Sequence, residues 1–291
     1  MNQPTPTTSV LSGIILIIVS GFMLSGMDSI AKYLMLQQVT ITQVVWARYF
    51  ISTIIISLFY TAIKQPIFII PEMPGLQLVR GLCLLGVTGS MYYAIRTVSL
   101  ADTTAIMFFA PVLVTLLAGI VLDEQVTIQH ISAVILGFIG VLFIVRPGFE
   151  GFEPILLLVF VTAFCLAFYL LLTRYVRRGD GEPVTMFHSV FAGAVIMAFV
   201  APFSWTPLTA AQWGAMIMMG LFGVLGHLAI VKAFHITTAT ILSPFLNSQL
   251  LAAAIYSVIF FNDRLEWTFY VGSALIVSAG LIAWMYQKIL K

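Results

Sequence analysis

The sequence predicts an all-α integral membrane protein with ten transmembrane helices, arranged as two inverted-topology five-helix repeats around a central cavity. Three observations support this fold class. First, 61% of the 291 residues are hydrophobic and only 8% are charged, whereas a soluble domain carries roughly 25% charged residues. Second, ten apolar runs approach the length of about 20 residues that crossing a bilayer requires. Third, two blocks of sequence repeat one pattern of apolar and polar positions.

The ten apolar runs are separated by polar or proline-rich breaks, which are typical of turns. The fifth run is short, and the connections between runs 3 and 4 and between runs 8 and 9 are tight. None of the connections is long enough to form a soluble domain. The expected spans are about 12–35, 41–63, 75–96, 101–122, 129–146, 154–175, 183–203, 210–232, 237–261 and 266–287.

The repeated blocks divide the chain into a first half, 1–148, and a second half, 149–291. One block covers 94–148 and the other covers 233–286. Because each half holds five helices, an odd number, the second half must enter the membrane from the opposite side. We therefore expect halves related by a pseudo-two-fold axis in the membrane plane, an arrangement that supports alternating access.

Two prolines and two carboxylates occupy related places in the blocks. Pro111 and Pro244 each interrupt an apolar run, and Glu124 and Asp263 each lie where that run ends. A proline removes one backbone hydrogen bond and kinks a helix, so both are candidates for gating, with a fixed kink as the alternative. The carboxylates lie at helix ends, so we expect them to have a structural role in the repeat.

Lysine and arginine positions predict the orientation of the chain. With a cytoplasmic N-terminus, eight of these residues fall on the cytoplasmic side and four on the other, and the loop 174–178 carries most of the excess. The positive-inside rule then places both termini in the cytoplasm. The N-terminal stretch lacks the basic region of a signal peptide, so we expect its first apolar run to remain as a helix.

A set of short motifs is shared between the two blocks and a known family of membrane proteins. These motifs are Ala94-Ile95-Arg96, Ala101, Pro111, Glu124, Gly140, Pro244-Phe245, Gln249-Leu250 and Phe261-Asn262-Asp263. With them, the two blocks resemble the repeat of the drug/metabolite transporter superfamily, in its EamA-type members with ten helices. The resemblance implies a transporter of small organic solutes in a bacterial inner membrane, and the chain looks most like amino-acid exporters, including those for aromatic amino acids. Other members carry nucleotide-related metabolites, sugars and cationic drugs, so export of another metabolite or a cationic drug remains an alternative.

A membrane-embedded enzyme and a channel are the competing classes. The sequence contains no His-Glu-x-x-His, no Gly-x-Ser-x-Gly and no P-loop, which are motifs of common enzyme sites. It also shows no filter-like motif of an ion channel. We therefore expect no catalytic residues, cofactor or metal. A net charge of +2 gives no indication of a nucleic-acid partner. The expected partners are a small-molecule substrate and the lipid bilayer, with a functional monomer.

Arg48 is the deepest basic residue in the predicted spans and the first candidate for substrate binding. Ionisable residues at membrane depth usually point inward, and a guanidinium binds a carboxylate through two hydrogen bonds. The alternative is that Arg48 pairs with Asp28 as a structural contact. Asp28 also lies four residues before Lys32, so those two side chains could meet on one helix face.

Five further residues are candidates for the substrate site. Asn247 and Gln249 fall at the middle of the ninth run, where an amide can both donate and accept hydrogen bonds. Hydrogen bonding between helices is the alternative for both. Tyr92, Tyr93 and Tyr169 could form an aromatic wall that tolerates varied side chains and attracts a cation.

Glycines recur at every third residue in the eighth run, at Gly220, Gly223 and Gly226, and Gly137 and Gly140 repeat the spacing in the fifth. Small residues let membrane helices approach closely. This spacing predicts tight helix contacts, and the fifth and tenth helices are expected at the periphery of the bundle.

Overall fold

The structure is a computed structural model that describes residues 6–121, 128–146, 153–176, 179–236 and 242–289. All regular elements in these ranges are helical: eleven α-helices and two short 3₁₀ helices. The α-helices are α1 Pro6–Leu36, α2 Ile41–Ala62, α3 Pro74–Ile95, α4 Leu100–Met107, α5 Ala110–Val121, α6 Ile128–Val145, α7 Leu156–Val176, α8 Glu182–Val200, α9 Ala210–Ile236, α10 Ser248–Phe261 and α11 Trp267–Ile289. The 3₁₀ helices are η1, Ala201–Ser204, and η2, Ser243–Asn247.

Within the described residues, six helices are long and apolar enough to cross a membrane: α1, α2, α3, α7, α8 and α9. Shorter apolar helices of 10–17 residues follow α3 and α9, in the places where the remaining spans were expected. The capping of α2 illustrates how the sequence starts a helix. Thr40 accepts a hydrogen bond from the backbone of Gln43, and the Gln43 side chain reaches back to the backbone of Thr40, which satisfies two free donors of the first turn.

The fourth apolar run is not the single kinked helix expected over 101–122. Helix α4 ends at Met107 and α5 begins at Ala110, so that Pro111 lies in the first turn of a new helix. A proline is tolerated in a first turn, but within a helix its ring would clash with the carbonyl group four residues earlier, here that of Met107. The proline therefore separates two helices instead of bending one. Glu124, at the end of this run, lies outside the described residues.

The ninth run shows a related interruption. Pro244 lies in η2, and α10 begins at Ser248. Residues 237–241 lie outside the described residues. At its other end, α10 is terminated by Asn262, whose left-handed φ of 53° turns the chain away from the helix axis.

The helices of the two halves interdigitate. Helix α1 packs along α9, α3 along α7, α2 along α8, and α6 along α11, whereas α1, α2 and α3 make few contacts with one another. The halves predicted from the sequence are therefore not two separate bundles. The pair α6–α11 shares only minor contacts with the other helices, in agreement with the peripheral position expected for it.

Glycines allow the closest of these contacts. A Cβ atom added to Gly223 of α9 would lie 2.8 Å from the sulfur of Met27 in α1. At the α6–α11 contact, a Cβ atom on Gly140 would lie 2.7 Å from the carbonyl oxygen of Gly272. Larger residues would force these backbones apart, so the glycine spacing correctly predicted close helix contacts.

Candidate functional site

A cavity of about 430 Å³ lies in the centre of the bundle. Its walls come from α1, α2 and α3 of the first half and from α7, α8 and α9 of the second half. The volume falls in the range of roughly 300–1,000 Å³ that is usual for small-molecule sites. The side chains that matter most for its chemistry are Met27, Arg48, Arg80, Tyr169, Glu182, His227 and His235.

The cavity has an exposed end and a buried end. At the exposed end, the mouth, it is lined by Glu182 at the start of α8 and by His235 near the end of α9, whose side chain is 69% exposed. At the buried end, the closed end, it is lined by Met27, which is 3% exposed, and by Arg48, whose side chain is 13% exposed.

Arg48 lies at the closed end beside an acidic residue. Its Nη1 atom is 4.0 Å from Oδ1 of Asp28 and donates a hydrogen bond of 3.3 Å to the hydroxyl of Tyr92. Its guanidinium carbon lies 5.9 Å and 5.5 Å from the ring centroids of Tyr49 and Tyr92. Arg48 thus lines the cavity, as expected for substrate binding, and it also has the ionic partner that the structural alternative required.

Arg80 is a second buried arginine of the cavity, and it was not among the predicted site residues. A long basic side chain near a helix end usually extends toward the headgroups, but Arg80 is only 2% exposed. The guanidinium donates to the hydroxyls of Thr173 and Tyr169 at 2.6 and 3.0 Å, to the side-chain oxygen of Gln77 at 3.1 Å and to the carbonyl of Thr185 at 2.9 Å. All four partners are uncharged.

Tyr169 lies in the cavity wall, as the sequence predicted. The guanidinium carbon of Arg80 is 4.6 Å from the centroid of its ring, a distance at which a cation and an aromatic face attract each other. The sequence carried no signal for this contact, because Arg80 and Tyr169 are 89 positions apart. The ring is therefore both a wall of the cavity and a support for a buried cation.

The mouth is bordered by a small polar cluster. The two carboxylate oxygens of Glu182 lie 3.1 Å from the hydroxyl of Tyr60 and 3.2 Å from Nε2 of His235. These contacts connect the start of α8 to the ends of α2 and α9. In the part of the chain that the structure describes, no group of three His, Cys, Asp or Glu side chains is placed to hold a metal ion.

The other predicted substrate residues lie away from this cavity. Tyr92 is fully buried behind Arg48, and Tyr93 points outward with 53% of its surface exposed. Asn247 is the last residue of η2. Gln249 lies in α10, where its backbone carbonyl accepts a hydrogen bond of 2.7 Å from Ser25 of α1. The structure thus brings Arg48 and Tyr169 into one cavity but leaves the two amides at the α1–α10 contact.

Three indole rings pack together on the side of the molecule where α2 and α9 begin, and we call them the tryptophan cap: Trp46 of α2, Trp205, and Trp213 of α9. The ring centroids of Trp46 lie 5.1 Å from Trp205 and 6.3 Å from Trp213. Beside the cap, Gln43 exchanges two hydrogen bonds of 2.8 Å with Thr206, one through the Thr206 hydroxyl and one through its carbonyl. These contacts fasten α2 to the connection between α8 and α9.

Asp263 has an ionic partner on the same side of the molecule. Its Oδ2 atom lies 3.3 Å from Nζ of Lys32, which also donates 3.0 Å to the carbonyl of Val98. Lys32 therefore joins α1 to the α10–α11 and α3–α4 connections. The pairing of Lys32 with Asp28 that the sequence suggested is wrong, since Asp28 pairs with Arg48 and Lys32 pairs with Asp263.

Comparison with known families decides the class of the protein. The EamA-like transporter family matches residues 11–146 and again residues 153–285. The chain belongs to the EamA-like transporter family. As an EamA-like transporter with six long apolar helices among its described residues, it is a multi-pass membrane protein, and the superfamily expected from the sequence is confirmed.

Two relatives of this EamA-like transporter illustrate the range of solutes in the family. The S-adenosylmethionine uptake transporter of Rickettsia bellii is 25% identical over 99% of this chain and 98% of that protein. The pseudopaline exporter CntI of Pseudomonas aeruginosa is 25% identical over 93% of each chain. Neither is named for aromatic amino acids, so the finer resemblance to exporters of those compounds is not supported. The family and these relatives are transporters of small solutes, not enzymes.

The fold of this EamA-like transporter is also found in a solved structure. One crystal structure superposes with a TM-score of 0.64 at 14% sequence identity, covering 96% of this chain and 98% of that chain. At this level of identity the likeness concerns the fold alone.

Proposed function

We propose that this protein is a secondary transporter that moves small organic solutes, amino acids above all, by alternating access. The observation that carries the proposal is a cavity between the two halves whose lining is exposed at one end and buried at the other. The exposed end has Glu182 and His235, and the buried end has Met27 and Arg48. A carrier exposes its site to one side of the membrane at a time, whereas a channel needs a continuous path.

We further propose ten spans in two inverted halves, 1–148 and 149–291, with α4 and α5 together forming the fourth span. The packing pattern supports this arrangement. If spans 1–5 are exchanged with spans 6–10, the α1–α9 contact becomes the α7–α3 contact, and both are observed. The α2–α8 and α6–α11 contacts are unchanged by the exchange. A two-fold axis in the membrane plane has this effect.

We propose that both termini are cytoplasmic in a bacterial inner membrane, which makes the mouth face the cytoplasm. Single cysteines test the orientation in a Cys83→Ser/Cys165→Ser background. Gln65→Cys lies after α2 on the mouth side, and Thr209→Cys lies before α9 on the closed side. In intact cells, an impermeant maleimide should label Thr209→Cys and spare Gln65→Cys. The reverse pattern would place the mouth outside.

Amino acids are proposed as substrates because the cavity offers buried guanidinium groups to a carboxylate and an aromatic surface to a side chain. S-adenosylmethionine, named for one relative, is itself an α-amino acid. Arg48 and Tyr169 are the predicted contacts that line the cavity. Pro111 and Pro244 remain proposed gating positions because each lies where a helix is interrupted. Another metabolite or a cationic drug is the alternative substrate.

Export is the proposed direction in cells, following the resemblance of the sequence to exporters. One relative is named for uptake and another for export, so an assay that works in either direction is needed. Counterflow meets this need, because unlabelled solute inside a liposome drives labelled solute inward through a carrier. A channel equilibrates the label without transient accumulation.

The test uses purified protein at one molecule per liposome, with labelled S-adenosylmethionine, L-tryptophan and tetraphenylphosphonium. We expect transient accumulation of at least one of the amino acids by the monomer. Met27→Trp should fill the closed end of the cavity and stop the exchange. Met218→Trp is the matched control, because Met218 is 45% exposed on the outside of α9. Exchange that survives Met27→Trp would mean that this cavity is not the pathway.

A further inference from the structure

The charge of Arg80 is buried without an acidic partner. Its guanidinium makes four hydrogen bonds, all to uncharged groups. Among the described residues, no carboxylate forms an ion pair with it. The shortest link to an acid runs through Gln77, whose amide donates 2.8 Å to Asp180. A cation at this depth is costly without a counter-ion, and the adjoining cavity can admit one.

Arg48 offers a contrast in the same cavity. Asp28 lies 4.0 Å from its guanidinium and already supplies a negative charge. An incoming carboxylate would have to compete with Asp28 at Arg48 but would meet no such competitor at Arg80. Arg80 therefore keeps a positive charge that no described acidic side chain neutralises, and one of its N–H groups donates to no described protein acceptor.

A carboxylate of the protein lies close to Arg80 along the cavity wall. Nη1 of Arg80 donates to the carbonyl of Thr185, which is three residues from Glu182 on α8, or roughly 5 Å along the helix axis. Glu182 instead faces the opposite wall, where it contacts Tyr60 of α2 and His235 of α9. The two charges therefore border the same part of the cavity without pairing with each other.

We propose that the space between Arg80 and Glu182 binds the zwitterionic head of an α-amino acid. The carboxylate of the substrate contacts the guanidinium of Arg80, and its ammonium group contacts Glu182. An α-amino-acid head carries both charges on one carbon, which suits two opposite charges that border one space. The substrate side chain then extends past Tyr169 and His227 toward the closed end. This inference rests on the proposed function, that solutes cross the membrane through this cavity.

The competing explanation is that Arg80 only joins α3 to α7 and α8. A structural role would make the loss of Arg80 equally harmful to all ligands. A role in recognition would make the loss depend on whether the ligand has a carboxylate. Ligands that lack one of the two charges therefore separate the explanations.

The experiment measures how L-tryptophan, tryptamine and 3-indolepropionate inhibit counterflow of a labelled solute. Tryptamine lacks the carboxylate and 3-indolepropionate lacks the ammonium group. In the wild type, L-tryptophan should inhibit about 10- to 150-fold more strongly than either analogue, the range expected for one hydrogen bond to a charged group. Arg80→Gln should abolish the preference for L-tryptophan over tryptamine and keep the preference for L-tryptophan over 3-indolepropionate. Glu182→Gln should show the opposite pattern.

Two matched variants control for loss of charge elsewhere. Arg96→Gln removes an exposed arginine just after α3, and Glu153→Gln removes an exposed carboxylate before α7. Both should keep the wild-type preferences. If Arg80→Gln does not insert, Arg80→Lys keeps the charge but loses the planar fork, and it should weaken L-tryptophan while sparing tryptamine.

Each remaining outcome overturns a defined statement. Equal weakening of all three ligands by Arg80→Gln would make Arg80 a structural residue and end this inference. Exchange of tetraphenylphosphonium without inhibition by L-tryptophan or S-adenosylmethionine would also end it, while the transport proposal stands. If the wild type exchanges none of the solutes, the proposed function fails and this inference fails with it.

Discussion

The two ends of the cavity are held together by different kinds of contact. The closed end combines the Asp28–Arg48 pair, the tryptophan cap, the Gln43–Thr206 hydrogen bonds and the Lys32–Asp263 pair. The mouth has the contacts of Glu182 with Tyr60 and His235, and the His235 side chain is 69% exposed to solvent. Breaking a charged contact that is shielded from water costs more than breaking an exposed one, so the closed end should resist opening more strongly than the Glu182–His235 contact resists separation.

The largest effect is expected at the closed end, from Asp28→Asn. This change removes the acidic partner of the buried Arg48 guanidinium, and breaking a buried pair from one side costs about 3 kcal/mol. Thermal unfolding in detergent should show a clear decrease in Tm and in the free energy of unfolding. The double variant Asp28→Asn/Arg48→Gln should recover most of the loss, because no charge is then left unpaired. If the double variant loses as much free energy of unfolding as the two single variants together, Asp28 and Arg48 do not stabilise each other.

Loosening the cap should have a smaller effect, on conformation more than on stability. Gln43→Ala removes two hydrogen bonds to Thr206, each worth about 0.6 kcal/mol between membrane helices. The population open at this end should rise roughly eightfold. A cysteine at Met27, in the background without native cysteines, should react faster with an impermeant reagent from the capped side. Gln212→Ala, which loses two exposed hydrogen bonds, one to the carbonyl of Gln37 and one from the backbone N–H of Thr209, should leave the rate unchanged.

The Lys32–Asp263 pair should contribute about 1 kcal/mol. Lys32 is buried but Asp263 keeps 22% of its side chain exposed, so the pair lies between buried and surface cases. A double-mutant cycle with Lys32→Met and Asp263→Asn measures this contribution. The double variant should lose about 1 kcal/mol less free energy of unfolding than the sum of the losses in the two single variants. Additive losses would show that the ionic contact does not contribute to closing this end.

The smallest effect is expected at the mouth. His235→Gln removes an exposed contact to Glu182, and changes of this kind alter the free energy of unfolding by about 0.5 kcal/mol or less. The Tm should stay close to that of the wild type. A decrease as large as that of Asp28→Asn would remove the contrast between the two ends and would identify the mouth as a second barrier.

Much of the fold could be predicted because membrane insertion depends on local composition. The expected spans 41–63 and 154–175 agree closely with α2, Ile41–Ala62, and α7, Leu156–Val176. Pro111 was a correct signal that was interpreted with the wrong geometry. The sequence placed it within one helix, but the clash with the carbonyl of Met107 makes it the start of another. A proline in an apolar run predicts that the helix is interrupted, but it does not show whether one helix bends there or whether it ends and a second helix begins.

The site was predictable only in part. Arg48 and Tyr169 were expected to meet in a cavity, and they do line the same one. Tyr93 was grouped with them and with Tyr92. Neighbouring residues on a helix point about 100° apart, and Tyr93 faces outward whereas Tyr92 is buried. Arg80 was passed over because a long basic side chain near a helix end usually extends to the headgroups. Its burial depends on acceptors from α7 and α8.

By itself, the sequence determined that this protein is a helical membrane protein with a repeated half and belongs to a transporter family, because hydropathy, repeat length and charge bias are properties of the chain read in order. Only the tertiary structure decided which cations have counter-ions. Asp28 of α1 faces Arg48 of α2, while Thr173 of α7 and Thr185 of α8 surround Arg80 of α3. The physical reason is that the energy of a buried charge is set by groups within a few ångströms, and here those groups come from different helices.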